Sequence, residues 1–128
     1  MATINGVFKV ASWNEDAYGE RLSRASVTQR FEGGIAGEGS AQWLMVYRPD
    51  GTARFVGLQL VDGTVDGRRG TFVLETAGEF DGGVARWEAS VVPGSSTGEL
   101  TDLTGAGRFE APHGSEASYE LEVELPRR

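Results

Sequence analysis

The sequence contains no cysteine, one histidine and four prolines among its 128 residues. The absence of cysteine excludes disulfide bonds, nucleophilic thiols, iron–sulfur clusters and zinc-thiolate sites. No apolar run approaches the roughly 20 residues that a membrane-spanning helix needs. The first ten residues also lack the basic and apolar segments of a secretory signal. We therefore expect a soluble, cytoplasmic protein with no membrane partner.

Basic charge is scarce as well, because 12 lysines and arginines stand against 19 aspartates and glutamates. The net charge of −7 repels phosphate backbones and anionic lipid headgroups. No basic stretch marks a groove that could follow a nucleic acid strand. The sequence therefore predicts no nucleic-acid partner.

Motifs for phosphate binding, metal binding and serine hydrolysis are missing. The stretch at 94–98 is rich in glycine and hydroxyl groups but lacks both the Gly-Lys-Ser/Thr ending of a phosphate loop and the Gly-x-Ser-x-Gly elbow of a hydrolase. His113, between a proline and a glycine, is predicted to be an ordinary loop residue. We expect no metal site and no cofactor.

Glycine is abundant, with 19 residues that follow no period. Four of them belong to Asp-Gly pairs, which suit tight hairpins because glycine takes positive φ without a steric clash. These pairs are Asp50-Gly51, Asp62-Gly63, Asp66-Gly67 and Asp81-Gly82. Repeated chain reversal is thus predicted within a single domain spanning residues 1–128.

Runs of β-branched and aromatic residues between the turns predict about eight strands. They lie near 6–13, 22–32, 35–47, 53–61, 70–80, 84–92, 105–110 and 117–125. The last run alternates apolar residues with glutamates, a period of two that is typical of a half-buried strand. We predict an all-β, antiparallel, closed or nearly closed barrel, and a β-sandwich is the structural alternative. The segment Ser96-Thr97-Gly98-Glu99 matches a capping box, which predicts one short helical turn near 97–103.

Two predicted strands, 35–47 and 53–61, are apolar on both faces. Leu44, Val46 and Leu58 occupy the face opposite the predicted core. A sheet that is apolar on both sides must be covered on its outer side too. We therefore expect a neighbouring subunit or a covering segment there, and a homo-oligomer is predicted.

Two sets of residues are candidates for a functional site. Carboxylates near apolar walls can act as general acid or base, although strand glutamates usually face solvent; the candidates of this kind are Glu38, Glu75 and Glu88. Polar and aromatic side chains within strand-like runs can orient a small ligand. These candidates for ligand binding are Arg24, Trp43, Tyr47, Thr76 and Arg86.

Several motifs together resemble a bacterial family of small proteins, a domain of unknown function, whose folds are allene oxide cyclase-like barrels. The motifs are Leu22-x-Arg24-Ala25-Ser26-Val27, Phe31-x-Gly33, Gly37-Glu38-Gly39, Phe55-Val56-Gly57-Leu58, Gly67-Arg68-x-Gly70-x-Phe72-Val73-Leu74 and Val92-Pro93-Gly94-Ser95-x-Thr97-Gly98-Glu99-Leu100. The resemblance covers residues 6–125 and implies a role in steering cyclisation or coupling of hydrophobic intermediates. Many members of the resembled family carry histidines at two positions that are Thr76 and Ala117 here, so a mechanism relying on those histidines is not expected.

Three functions follow as hypotheses. The first is binding of a small hydrophobic or amphipathic molecule inside the barrel, with carriage, cyclisation or isomerisation as its outcome. The second is hydrolysis by paired carboxylates, and the third is a structural, oligomeric role without catalysis. An interior filled by side chains would remove the first hypothesis, because an eight-stranded barrel is either packed or just wide enough for one small ligand.

Overall fold

The computed structural model describes residues 1–112 and 116–126, which form eight strands and one short 3₁₀ helix. The strands are β1 (Ala2–Gly19), β2 (Leu22–Gly33), β3 (Ile35–Tyr47), β4 (Ala53–Val65), β5 (Arg68–Phe80), β6 (Val84–Val91), β7 (Thr104–Pro112) and β8 (Ala117–Glu124). The 3₁₀ helix, η1, is Gly98–Leu100. The predicted all-β architecture is confirmed.

Each strand pairs antiparallel with the strands before and after it, and β1 pairs with β8 to close the barrel. Apolar side chains at every second position point inward because successive residues of a strand face opposite sides. On β8, Tyr119, Leu121 and Val123 are buried, whereas the glutamates between them are exposed. The alternation that predicted this strand therefore also gives its correct orientation.

Hairpin turns lie at three of the four Asp-Gly pairs. Asp66 and Gly67 both have positive φ, 51° and 78°, the conformation that a two-residue hairpin of the primed type requires. The prediction of a turn at Asp62-Gly63 is wrong, because both residues lie within β4. Gly63 stands opposite Gly37 there, so two glycines let neighbouring strands approach closely.

The first strand is much longer than the predicted run at 6–13. Its first half, Ala2–Phe8, pairs with β8, and its remaining part pairs with β2 alone among the described residues. We call Val10–Gly19 together with Leu22–Gln29 the β1–β2 ribbon. A register shift between Val10 and Ser12 marks a bulge where the ribbon begins. The polar sequence of residues 14–19, with asparagine and acidic residues, gave no strand signal.

One end of the barrel is plugged by the segment around η1. Leu100 and Leu103 are fully buried there. The helical turn is confirmed, but the capping box predicted for 96–99 is wrong. The Thr97 side chain makes no cap hydrogen bond and instead lies 2.6 Å from the Thr71 hydroxyl, and Ser96 Oγ has no partner among the described residues.

No helix among residues 1–112 and 116–126 is long and apolar enough to cross a membrane. The prediction for His113 falls outside the described residues.

Candidate functional site

The barrel interior is packed at the η1 end and open at the other end, where a cavity of about 290 Å³ lies. We call it the mouth cavity. It is lined by Phe8, Val10, Trp13, Gln29, Trp43, Met45, Tyr47, Phe55, Phe80, Ala85, Trp87 and Ala111. The cavity is therefore largely aromatic, and the β1–β2 ribbon supplies one of its walls.

Contacts between aromatic rings fix the floor and walls of the cavity. Trp87 stacks on Phe109 with ring centroids 5.2 Å apart and an interplanar angle of 6°. It also meets Trp43 edge to face at 5.1 Å, and Trp43 in turn lies 6.2 Å from Trp13 of the ribbon. Such pairs add roughly 0.5–1.5 kcal/mol each beyond the burial of area. The walls are thus positioned by mutual packing.

Two buried polar groups of the cavity lining lack hydrogen-bond partners among the described residues. They are Trp87 Nε1 and Gln29 Nε2. Gln29 Oε1 does accept a hydrogen bond of 2.7 Å from Gln59 Nε2. A buried N–H without an acceptor costs about 1–3 kcal/mol, so an acceptor that reached either group would recover this energy.

A carboxylate stands at the rim of the cavity. Glu15 Oε2 accepts hydrogen bonds from Ser23 Oγ at 2.5 Å and from Tyr47 Oη at 2.6 Å. Glu15 Oε1 accepts one from Trp13 Nε1 at 3.0 Å. The side chain therefore joins β1, β2 and β3 and orients two aromatic residues of the lining.

These contacts shift two pKa values. Burial raises the pKa of the Glu15 carboxyl, but the hydrogen bonds from Ser23, Tyr47 and Trp13 together outweigh burial, and the pKa lies below the usual 4.5. Burial, followed by the hydrogen bond and charge of Glu15, raises the pKa of Tyr47 to about 12. At neutral pH the rim thus holds a charged carboxylate and a neutral phenol that donates to it.

Three of the predicted ligand-binding residues lie at this site. Trp43 and Tyr47 line the cavity. Thr76 is buried behind Trp43, accepts a hydrogen bond of 2.9 Å from its Nε1 and donates one of 3.0 Å to the Gly57 carbonyl. Thr76 therefore fixes the Trp43 indole and leaves it no free donor.

The other two predicted ligand-binding residues lie on the outer face of the barrel. Arg24 is exposed on β2, and Arg86 is exposed on β6. Arg86 forms ion pairs with Asp81 at 3.1 Å and with Glu110 at 3.5 Å. Neither arginine contributes to the mouth cavity, because the strand alternation turns both side chains outward.

The three predicted catalytic carboxylates also face outward. Glu38 is exposed and forms an ion pair of 3.3 Å with Arg30. Glu75 and Glu88 line a shallow outer groove of about 780 Å³ together with Arg108. The groove is larger than the mouth cavity but open to solvent, and no metal-ligand cluster occurs in the described part of the chain.

Several residues with polar groups at the site were not predicted as functional from the sequence. Trp13 and Trp87 were not among the candidates, Glu15 lay beyond the predicted first strand, and Gln29 was not singled out. Gln29 did carry a signal, since it occupies an inward position between Val27 and Phe31 on β2. A polar residue on an otherwise apolar strand face marks a polar spot in the interior.

Comparisons with known proteins give a family. The family profile described as "Protein of unknown function (DUF3224)" matches residues 4–123. A solved structure of a DUF3224 protein of unknown function from Shewanella oneidensis is similar over 100% of this chain and 99% of that chain, with 26% identity and a TM-score of 0.84. No curated protein matches. The profile spans nearly all of the barrel, and the chain therefore belongs to the DUF3224 family.

Proposed function

We propose that the mouth cavity binds a small, ring-shaped apolar molecule that carries a hydrogen-bond acceptor. One observation supports this above all: the aromatic lining of the cavity includes Trp87, whose indole N–H is buried and has no hydrogen-bond partner among the described residues. Ligand sites typically combine apolar walls with a few convergent polar groups. The mouth cavity has this composition.

The volume of the cavity limits the ligand to about two fused rings. An engineered apolar cavity of about 150 Å³ holds benzene, and the mouth cavity is about 290 Å³. The acceptor on the ligand would meet Trp87 Nε1 in the interior. The rest of the molecule would lie against the faces and edges of the surrounding aromatic rings.

Intrinsic fluorescence offers a direct test, because all three tryptophans of the chain line the cavity. We expect 1-tetralone, two fused rings with a carbonyl, to change this fluorescence saturably and to raise the melting temperature. Tetralin, the same skeleton without the carbonyl, should bind roughly twofold to tenfold more weakly, the value of one hydrogen bond. In Trp87→Phe this difference should vanish.

A second test fills the cavity. Ala111→Leu on β7 places a larger side chain in the lining, and we expect it to abolish binding of 1-tetralone. Ala106→Leu is the matched control, since Ala106 is exposed on the outer face of the same strand. Equal binding by both variants, or no binding of either compound by the wild type, would contradict the proposal.

Cyclisation or isomerisation of the bound molecule is a finer proposal that rests on the resemblance to allene oxide cyclase-like barrels. Glu15 and Tyr47 support it as the ionisable pair at the rim. Hydrolysis by paired carboxylates has less support, because Glu38, Glu75 and Glu88 lie outside the cavity. Cyclisation or isomerisation activity that persists in both Glu15→Gln and Tyr47→Phe would show that other residues carry out the reaction.

A further inference from the structure

Large apolar side chains cover part of the outer surface of β2, β3 and β4. We call this set the outer apolar face. It consists of Leu22, Leu44, Val46, Val56, Leu58 and Leu60, with exposed fractions between 36% and 53%. Single exposed leucines are ordinary, but a contiguous apolar patch marks an interaction site.

Strand register shows that these side chains are neighbours. Leu44 of β3 stands opposite Val56 of β4, and Val46 stands opposite Leu22 of β2. Leu58 and Leu60 continue the patch along β4 at alternate positions. The face is therefore one strip that crosses three strands.

Opposite charges flank the strip. Arg24 of β2 stands beside Leu44 on one side, and Glu75 of β5 stands beside Leu58 on the other. Both are exposed, and neither forms an ion pair with another described residue. An apolar strip with a basic edge and an acidic edge is complementary to itself.

We propose that this face is covered by a second copy of the chain in a symmetric dimer. A twofold axis along the seam between β3 and β4 lays β2 of one copy over β5 of the other. Arg24 of each copy then faces the acidic flank of its partner near Glu75, and the apolar strips meet in the centre. Such an isologous contact uses the same patch twice and closes on itself.

The charge of the chain favours a second copy over an anionic membrane. The chain carries a net charge of −7, which anionic lipid repels. Two copies repel each other too, but the paired flanks place opposite charges at the contact itself. Aligned sheet packing, with strands within about 30° of each other, keeps β2 over β5.

Sedimentation equilibrium of the full chain is the first test. We expect the wild type to sediment with twice the 13.7 kDa chain mass. Leu44→Glu or Leu58→Glu should raise the dissociation constant by at least about tenfold, which is about 1.4 kcal/mol. Ser118→Glu is the control, with the same added charge on β8 at the opposite side of the barrel. Circular dichroism verifies that each variant is folded.

Charge reversal tests the twofold arrangement. Arg24→Glu and Glu75→Arg should each weaken self-association, because each homodimer then brings like charges together. An equimolar mixture of the two variants should form heterodimers, since every flank again meets its opposite. The double variant Arg24→Glu/Glu75→Arg should dimerise like the wild type.

A wild type that is monomeric at all accessible concentrations overturns the proposal. If that monomer sediments with neutral phosphatidylcholine vesicles, a lipid surface covers the outer apolar face instead of a second copy. Equal association of Leu44→Glu and Ser118→Glu overturns it as well. A dimer in which the mixed charge variants fail to associate overturns the twofold arrangement. These outcomes are independent of ligand binding in the mouth cavity, which lies inside the barrel.

Discussion

Glu15 is the residue that joins the ribbon to the body of the barrel at the mouth. Its three donors, Trp13, Ser23 and Tyr47, come from three successive strands. Because hydrogen bonds to an ionised carboxylate are stronger than those to a neutral carboxyl group, its charge strengthens the contacts that hold the rim. Hydrogen bonds to a charged group stabilise by roughly 1.5–3 kcal/mol when well formed.

The raised pKa of Tyr47 predicts a loss of stability at high pH. Between the unfolded value of 10.0 and the folded value of about 12, the unfolded phenol ionises while the folded one stays neutral. The stabilisation is therefore complete below pH 10 and is lost as the pH rises towards 12. Melting temperatures measured from pH 9 to 11.5 should fall less steeply in Tyr47→Phe than in the wild type. Parallel curves would contradict the assigned contact.

Gly57 lies where no side chain fits. A Cβ there would stand 1.9 Å from the Gln42 carbonyl oxygen and 2.6 Å from Trp43 Cδ1. We expect Gly57→Ala to destabilise the fold by about 1–3 kcal/mol, the usual range for overpacking, and to disturb the Trp43 indole. Gly83→Ala, with only Asp81 Oδ1 at 3.7 Å, is the control. Urea unfolding followed by tryptophan fluorescence measures both.

Part of the site was predictable from the sequence because successive side chains of a strand alternate between the inner and outer faces. Trp43 and Tyr47 fall on the inward positions of β3, so their place in the cavity follows from the alternation. Arg24 and Arg86 occupy outward positions. Knowing that a residue lies in a strand does not tell which face it occupies, and this requires the register of the strand. Glu15 could not be found, because a bulge shifts its register after Val10.

At the level of elements, Tyr119 of β8 ties two other strands together. Its hydroxyl accepts a hydrogen bond of 2.8 Å from the Ile35 N–H and donates one of 2.7 Å to the Glu32 carbonyl. These partners lie on either side of the turn between β2 and β3. One side chain thus fixes the β2–β3 turn against the strand that closes the barrel.

Removing this hydroxyl should leave a buried backbone N–H without an acceptor. We expect Tyr119→Phe to cost about 1–3 kcal/mol of unfolding free energy, and the Ile35 amide should lose protection from hydrogen exchange. Tyr18→Phe is the matched control, since Tyr18 is 57% exposed on the ribbon. Equal stability of the two variants in urea would show that the hydroxyl contributes nothing.

Most elements were predictable because strands joined by short turns, several of them at Asp-Gly pairs, pair with their neighbours in sequence and leave few topologies open. Strand β4 extends past its predicted end because Asp62-Gly63 serves close strand approach instead of reversal. A dipeptide cannot distinguish these two uses of glycine. The capping-box prediction failed for a similar reason: Thr97 pairs with Thr71 of β5, a contact between segments far apart in the sequence.

For the whole molecule, the balance of charge predicts sensitivity to acid. The pKa values of Asp50 and Asp81 lie below 3.8, mainly through hydrogen bonds from Thr52 and from the Gly83 and Val84 amides, and that of Glu79 lies below 4.5, mainly through Arg48. Such groups stabilise the fold above their unfolded pKa values, and this contribution is lost as the pH falls through the lower folded values. Unfolding free energy in urea should therefore decrease below about pH 4.5.

The variant Asp81→Ala isolates one of these contributions. It should lower the unfolding free energy at pH 7. The unfolding free energy should also fall less steeply between pH 4 and pH 2, because the variant lacks the carboxylate that titrates there. Asp66→Ala is unsuitable as a control, since Asp66 has positive φ; Asp16→Ala on the exposed ribbon is preferable. A decline as steep in Asp81→Ala as in the wild type would contradict the assignment.

Among the described residues, the part of β1 beyond Phe8 pairs with a neighbouring strand on one side only. Backbone amides there can open without separating any other pair of strands, so local fluctuations should expose them long before global unfolding. Because this stretch carries Trp13, each such opening would also unroof the mouth cavity. For a molecule bound in the mouth cavity as proposed, the rate of release would then depend on how often this part of β1 opens, as well as on the strength of the contacts that the molecule makes.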